Sequence, residues 1–269
     1  MYEGCVVEGI KQNSGSEYFS NGRLYYKGNF VNGKPDGSQV IIYQENGKIH
    51  YKGSIKKGIK NGQGQLYNSL GILIYKGSFQ KDLFHGINST LYYSNGKIEF
   101  IGNFEFGNRQ GIGKEYYPNS NIKSEACYKN GKKEGKAVVY YNNKKIQYKG
   151  FFSKNKKTGF GVEYHSNGNL YYKGEYIEDW PHGDVISIYN KNNGLSYHGK
   201  IDNGNQIGFS QNMFKNGKKM RIGFHETTNL KSDDFCVEFY VNGQIKSIGK
   251  SVLTFNGVRK FTEINNINN

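Results

Sequence analysis

The chain has 269 residues, with 37 lysines and arginines against 22 aspartates and glutamates, and a formal net charge of +15. No apolar run approaches the roughly 20 residues that a membrane-spanning helix needs, and the first residues already belong to a repeated motif rather than to a secretion signal. Three cysteines far apart in sequence argue against a disulfide framework. We therefore expect a cytoplasmic protein whose charge attracts an anionic partner.

A motif of the form Tyr-x-Gly-x-apolar recurs every 24 or 25 residues from residue 2 onward. Because side chains alternate between the two faces of a strand, the aromatic residue, the glycine and the apolar residue share one face, which we expect to be buried. A glycine in mid-strand marks a close approach, here by an aromatic ring of the same or the neighbouring repeat. The residues that we assign to this core are Tyr26, Gly28, Phe30, Tyr51, Gly53, Tyr75, Gly77, Phe79, Phe100, Gly102, Phe104, Tyr148, Gly150, Phe152, Tyr172, Gly174, Tyr176, Tyr197 and Gly199.

Each repeat also carries a second run that is rich in β-branched and aromatic residues, such as Val138–Tyr141, and that predicts a second strand. Asn-Gly pairs such as Asn46-Gly47 join the two runs and predict type I′ turns, in which both residues take a positive φ. Another glycine follows the motif glycine by nine residues, and we expect it to bend the connector that leads to the next repeat. This second glycine is Gly37, Gly62, Gly86, Gly111, Gly135, Gly159, Gly183 or Gly208.

An isolated hairpin is marginal in water, so each repeat must bury its aromatic face against its neighbours. The sequence predicts an all-β protein, an elongated solenoid of about ten stacked antiparallel hairpins that spans roughly 100 Å at ~4.8 Å per strand. We assign residues 1–222 to this solenoid. Residues 223–269 lose the aromatic residue and the second glycine, and we expect a divergent cap there that ends in a short disordered tail, 265–269.

The repeat resembles the MORN repeat (membrane occupation and recognition nexus), in which Tyr-x-Gly-x-aromatic accompanies a glycine-rich stretch. Residues 62–79 and 159–176 carry the pattern, and the resemblance extends over residues 2–208. It implies an elongated β-solenoid used for scaffolding, attachment or membrane proximity. Ser124 replaces the aromatic residue in one repeat, and we expect the stack to be thinner or kinked there.

Lysine precedes the motif glycine in five repeats, on the face opposite to the core. These lysines predict a basic stripe with one charge per ~10 Å, which is either a site for an anionic partner or an ordinary solvated face. A second basic set lies in the connectors. The stripe consists of Lys27, Lys52, Lys76, Lys149 and Lys173, and the connector pairs begin at Lys56, Lys132, Lys156 and Lys218.

Trp180 is the only tryptophan and lies in a connector, where it is either a contact residue for a partner or a packing residue. The six histidines lie in different repeats without metal-ligand spacing, and no nucleophile or carboxylate pair is singled out, so we expect no catalytic, cofactor or metal site. The aromatic residues are required by the core, and we do not expect nucleic acid as a partner.

The sequence therefore favours a non-enzymatic scaffold that binds other proteins, acidic ones among them, in a cytoskeletal, cortical or ciliary assembly. The alternative is a peripheral module that binds anionic lipids through the lysine stripe. The C-terminal end offers a strand edge through which a homodimer could form.

Overall fold

The structure is a computed structural model, and it describes residues 1–214, 216, 218–225, 234–253 and 259–265. The chain divides into two compact units, Met1–Glu134 (unit 1) and Gly135–Asn269 (unit 2). The predicted boundary at residue 222 lies within unit 2, and the assignment of 223–269 to a separate cap stays a prediction.

Unit 1 contains strands that pair with their neighbours in chain order, β3 pairing with both β4 and β5. These pairs are antiparallel. The strands are β1 (Tyr2–Val7), β2 (Ile10–Tyr18), β3 (Leu24–Val31), β4 (Lys34–Pro35), β5 (Gly37–Tyr43), β6 (Ile49–Lys56), β7 (Ile59–Tyr67), β8 (Leu73–Gln80), β9 (Leu83–Tyr92), β10 (Ile98–Glu105), β11 (Asn108–Tyr116) and β12 (Ile122–Lys129).

Unit 2 continues the same pattern, with the unit boundary inside β13. The strands are β13 (Lys132–Tyr140), β14 (Ile146–Ser153), β15 (Lys156–Tyr164), β16 (Leu170–Ile177), β17 (Trp180–Tyr189), β18 (Leu195–Asp202), β19 (Asn205–Met213), β20 (Lys219–His225), β21 (Asp234–Phe239), β22 (Ile245–Leu253) and β23 (Arg259–Asn265). Each unit is thus an all-β stack of antiparallel hairpins with the period of the motif, which confirms the predicted fold class. Asn265 closes β23, and the rest of the predicted tail lies outside the described residues.

The core of each unit lies on one face of the sheet, where every aromatic side chain that we assigned to the core from the sequence is buried. Neighbouring rings pack edge to face, as Tyr51 does on Phe79 with centroids 5.4 Å apart. The phenol hydroxyl of the motif tyrosine usually donates to the backbone carbonyl three residues later, as Tyr51 donates to Ser54 at 2.8 Å. Tyrosine therefore satisfies its polar atom inside the core.

The motif glycine makes room for the ring of its own repeat. Gly53 pairs across the strands with Gly64, and the ring of Tyr51 lies over this pair. A Cβ atom at Gly64 would lie 2.7 Å from Cζ of Tyr51, and one at Gly161 would lie 2.7 Å from Cζ of Tyr148. The group that approaches the motif glycine is therefore the aromatic residue of the same repeat. In the repeats of Gly53 and Gly150, a second glycine on the neighbouring strand also lies beneath the ring.

The glycine nine residues after the motif glycine lies inside a strand, which corrects its assignment to the connector. Gly62 in β7 has a φ of 103° and Gly111 in β11 a φ of 66°. The strand register shifts close to these glycines, as it does at a β-bulge, where one strand carries extra residues. Glycine is required because few side chains tolerate a positive φ.

The prediction of type I′ turns at the Asn-Gly pairs is wrong. Gly47 has a φ of 82°, but Asn46 has no positive φ. The side chain of Asn46 instead accepts a hydrogen bond from the backbone N–H of Lys48 at 2.9 Å. The connectors carry the pairs of positive φ, as at Asn32 (50°) and Gly33 (76°). A three-residue loop lets asparagine act through its side chain, whereas the two-residue connector needs the left-handed backbone at both positions.

Candidate functional site

The five lysines of the predicted stripe, which we call the outer lysine row, are all exposed. In unit 1, Gln65 pairs with Lys52 on one side and with Lys76 on the other. Lys27 belongs to the same row two strands earlier, since Ile41 pairs with both Lys27 and Lys52. In unit 2, Val162 likewise pairs with Lys149 and Lys173. Within each unit, successive lysines of the row are thus two strands apart, or about 10 Å.

None of these five lysines forms an ion pair with a carboxylate in the part of the chain that the structure describes. Lys173 has one neighbour of note, since its Nζ lies 5.9 Å from the ring centroid of Phe160. Their charges therefore face solvent without a compensating group of the chain itself.

A second set of cations, which was not predicted as a set from the sequence, lies on the core face of the sheet, opposite to the outer lysine row. We call it the inner cation row. It follows the motif glycine by seven residues, and each member lies over a core ring, for example Lys157 with its Nζ 5.0 Å from the centroid of Tyr148. The row consists of Lys11, Lys60, Arg109, Lys133 and Lys157.

The inner cations are paired with carboxylates. Lys157 contacts Glu163 at 2.6 Å, Lys60 contacts Asp82 at 3.4 Å, and Lys11 pairs with Glu17. Two of the connector lysines, Lys133 and Lys157, therefore belong to this row and are largely buried in ion pairs. The recurrence of a basic residue at the seventh position was the signal that could have separated them from solvent-facing lysines.

The repeat with Ser124 in place of a ring holds a polar cluster. The Ser124 hydroxyl donates to Glu115 at 2.7 Å, Lys133 Nζ donates to the same carboxylate at 2.7 Å, and Arg109 pairs with its other oxygen. Burial by itself raises the pKa of Glu115, but Lys133, Ser124 and Arg109 outweigh it and lower that pKa below its usual value. Strand β12 keeps its pairing with β11 through this repeat.

Trp180 is 58% exposed, and its ring lies against Gly204 in the next connector, where a Cβ atom would be 2.7 Å from Cε3 of the indole. Leu83 holds the same place over Gly107, and Ile10 over Gly33. Trp180 thus has features of both hypotheses made from the sequence. As a packing residue, its indole contacts a glycine through part of its surface, and the rest of that surface is accessible to a partner.

The two units differ at equivalent positions of the outer face. In the repeat of Gly150, Phe151 and Phe160 point outward and are 39% and 47% exposed. We call Lys149, Phe151, Phe160, Val162 and Lys173 the aromatic patch. The same positions in the repeat of Gly53 are Lys52, Ser54, Gln63, Gln65 and Lys76, which we call the polar patch.

Four residues of the polar patch, Lys52, Gln63, Gln65 and Lys76, line a groove of about 270 Å³ together with Ser38 and Gln39. The side chain of Gln63 reaches across to the Ser78 hydroxyl at 2.7 Å. Of the residues in both patches, only the lysines were predicted from the sequence as candidate site residues. The consecutive aromatics Phe151-Phe152 were a usable signal, because neighbouring residues of a strand point to opposite faces and one ring must point outward.

Within the described ranges, no group of three or more histidine, cysteine, aspartate or glutamate side chains is placed to hold a metal ion. Nor does any helix among these residues have the length and apolarity to cross a membrane.

Two family models match the sequence. The MORN repeat model matches residues 2–22, 26–38, 51–69, 75–87 and 148–170, and the MORN repeat variant model matches residues 88–105, 109–130 and 133–154. Together they cover more than half of the chain. The matches end at residue 170, whereas strand pairing with the same pattern continues through β19.

No curated protein matches the sequence as a relative. Among solved structures, the crystal structure of TcdB2-TccC3 aligns with 90% of this chain at 11% identity and a TM-score of 0.21, and this chain spans 16% of that one. The structure of TcdB2-TccC3 without its hypervariable C-terminal region aligns with 90% at 11% identity and a TM-score of 0.20, and this chain spans 15% of it. Likenesses this weak support no conclusion on fold or function.

Proposed function

We propose a function from one premise, that this chain belongs to the MORN-repeat family, whose repeats are generally interaction modules and whose members are generally non-enzymatic. The chain is a scaffold that holds partner proteins within a cytoskeletal, cortical or ciliary assembly. It acts through its outer face and without chemistry of its own.

The observation that carries this proposal is the division of the basic residues into two sets. The inner cation row is neutralised by carboxylates and serves the core, as Lys157 does with Glu163. The outer lysine row repeats at one position without a carboxylate partner. An extended anionic surface can engage several of its members at once, whereas a single exposed lysine gains little through solvent screening.

The test reverses the five lysines of the outer row to glutamate in the full chain and measures recovery with the detergent-insoluble cytoskeletal fraction of native cell extract. We expect recovery to be lost while thermal unfolding is unchanged. The matched control reverses five exposed lysines near the connectors: Lys34, Lys56, Lys57, Lys81 and Lys129. Glutamate already occupies the turn position of Lys57 and Lys81 in other repeats, at Glu8 and Glu178, so the control should fold. Equal loss in both sets would reduce the outer row to bulk charge and contradict the proposal.

A second candidate function is peripheral contact with an anionic membrane surface. It is favoured by the exposed rings of Phe151 and Phe160 beside unpaired lysines, since basic and aromatic side chains together suit a lipid interface. Flotation with vesicles of neutral lipid, and with vesicles containing phosphatidylserine, at low and physiological salt tests it. Binding to the anionic vesicles alone, lost on reversal of the outer row, is expected; equal binding to both vesicle types, or none, would exclude this function.

Homodimerisation through the C-terminal end is a further proposal. It is motivated by the loss of the motif in residues 223–269. Light scattering of the full chain and of a truncation after residue 222 should give a dimer and a monomer, respectively. A monomeric full chain would contradict it.

A further inference from the structure

The aromatic patch of unit 2 is a small surface on which charge and apolar area lie side by side. Lys149 on β14 and Lys173 on β16 stand two strands apart, with Val162 on β15 between them. Phe151 on β14 and Phe160 on β15 each lie two residues along the strand from Lys149 and Val162, and the register shift beside them places Phe151 opposite Thr158. Within unit 2, Lys136 extends the surface on β13, where its Nζ lies 5.8 Å from the centroid of Phe151.

The charges that face this patch are three lysines and one carboxylate. Glu175 on β16 pairs in register with Phe160 and is exposed. Lys136, Lys149 and Lys173 have no ion-pair partner among the described residues. The patch therefore carries a net charge of about +2 around two partly exposed rings, and it suits a ligand that is both acidic and apolar.

A bound strand cannot use this surface through its backbone. Strand β14 pairs with β13 and with β15, and β15 pairs with β16, so the ladder hydrogen bonds of the patch are already made. A partner must dock through side chains and satisfy its own backbone groups. An α-helix does both, because its hydrogen bonds are internal and its apolar residues form a stripe.

The dimensions of the patch match a helix. Lys149 and Lys173 lie two strand spacings apart, about 10 Å, and seven helical residues rise about 10.5 Å. Carboxylates at i and i+7 of a helix that crosses the strands can therefore face both lysines. The rings lie two residues along the strand from the lysine row, roughly 7 Å away, within the width of one helix. Apolar residues three positions after each carboxylate lie on the adjacent side and face the rings.

We propose that the aromatic patch docks an acidic amphipathic helix of a partner protein. The proposal rests on the scaffold function above and names the chemistry of one partner. The rings distinguish this surface from the polar patch of unit 1, which has the same lysine spacing and no aromatic side chain. Lysines alone would attract any anion; the rings select a partner with an apolar stripe next to its charges.

The test uses a labelled 18-residue alanine-rich helical peptide with glutamates at positions 2, 9 and 16 and leucines at positions 5 and 12. Fluorescence anisotropy with the full chain measures its Kd at low salt. The substitutions F151S and F160Q together give the aromatic patch the residues of the polar patch and should raise the Kd about tenfold or more, since buried aromatic anchors dominate such contacts. K149E with K173E should also abolish binding, whereas K52E with K76E should leave it within about twofold.

We expect all three variants to stay folded, because every substituted side chain is exposed. Circular dichroism melting verifies this. A peptide with glutamine in place of glutamate separates charge from apolar contact and should bind at least about tenfold more weakly. The proposal is overturned if the acidic peptide does not bind, or if the two double reversals weaken binding equally. It is also overturned if F151S/F160Q impairs flotation with phosphatidylserine vesicles but leaves peptide binding unchanged, since the rings would then serve a membrane.

Failure of this proposal and failure of the scaffold function give different results. If F151S/F160Q is recovered with the cytoskeletal fraction as well as the wild type while reversal of the outer row prevents recovery, the helix site is wrong and the scaffold stands. If reversal of the outer row has no effect on recovery, the scaffold function is wrong whatever the peptide does.

Discussion

The repeats of Gly53 in unit 1 and Gly150 in unit 2 are alike on their inner face and different on their outer face. Inside, Tyr51 and Tyr148 each lie over a glycine pair and under a lysine, Lys60 or Lys157. Outside, the polar patch and the aromatic patch share only their lysines. The inner positions are fixed by close packing, and the outer ones are free to carry different recognition chemistry on the same backbone.

The difference between the inner and the outer face can be tested first at Glu115, the centre of the polar cluster. Glu115→Gln leaves Lys133 and Arg109 without their shared carboxylate, and we expect a loss of about 3 kcal/mol in the free energy of unfolding. Glu125 is the control, because its outer-face pair with Lys114 is partly exposed and Glu125→Gln should cost less than about 1 kcal/mol. Equal costs in thermal melting would mean that the inner cluster is no more important than a surface pair.

The same substitution gives a pH prediction. Because the folded-state pKa of Glu115 is lowered, its stabilisation is present above the ordinary glutamate pKa of about 4.3 and is lost as the pH falls through the lower folded value. The difference in stability between wild type and Glu115→Gln should therefore shrink on acidification below about pH 4. A difference that grows in acid would show that the carboxyl is not held ionised in the folded protein.

The next test compares the two units directly. Gly64→Val and Gly161→Val each place a side chain against the ring of Tyr51 or Tyr148, and overpacking should destabilise each protein by about 2 kcal/mol. Gln65→Val, one residue from Gly64 on the outer face, should be nearly neutral because Val162 is already accommodated at the equivalent position. Melting temperatures that fall equally for Gly64→Val and Gln65→Val would mean that the two faces are reversed.

The smallest expected effect is at the connectors. Trp180→Ala removes a ring that rests on Gly204, and Leu83→Ala removes the equivalent side chain over Gly107. Both side chains are partly exposed, so each substitution should cost only about 1 kcal/mol. Trp180→Ala should also leave the recovery of partners from extract unchanged; a marked loss of recovery with little change in stability would make Trp180 a contact residue.

The period of the sequence was sufficient to predict the hairpins and the outward direction of the lysines, since one alternating pattern recurs many times. It was not sufficient for the loops. Asn46-Gly47 suits both a type I′ turn and a three-residue loop closed by the asparagine side chain, and loop length depends on the strand register that only the fold supplies. The second glycine was misplaced for the same reason, because a bulge is a property of two paired strands.

The candidate site was predictable in part. Lys149 and Lys173 follow from their place in the motif, and the consecutive aromatics Phe151-Phe152 indicate that one ring points outward. Phe160 does not stand out in a sequence where most aromatic residues serve the core, and its place on the outer face appears only when β15 and β16 are paired. The recurrence of a basic residue seven positions after the motif glycine distinguishes Lys157 from Lys149 in the sequence, but the ring and the carboxylate that Lys157 contacts, Tyr148 and Glu163, appear only in the fold.

The most direct test of the claim that the outer face carries recognition on a common backbone is a transplant. The substitutions S54F, Q63F and Q65V give the polar patch the side chains of the aromatic patch while Lys52 and Lys76 stay in place. Titration calorimetry of the acidic 18-residue peptide should then change from one site per chain to two, with similar affinities and an unchanged melting temperature. A stoichiometry that stays at one, in a variant that remains folded, would contradict the account, because recognition would then depend on more than the outward side chains of the repeat.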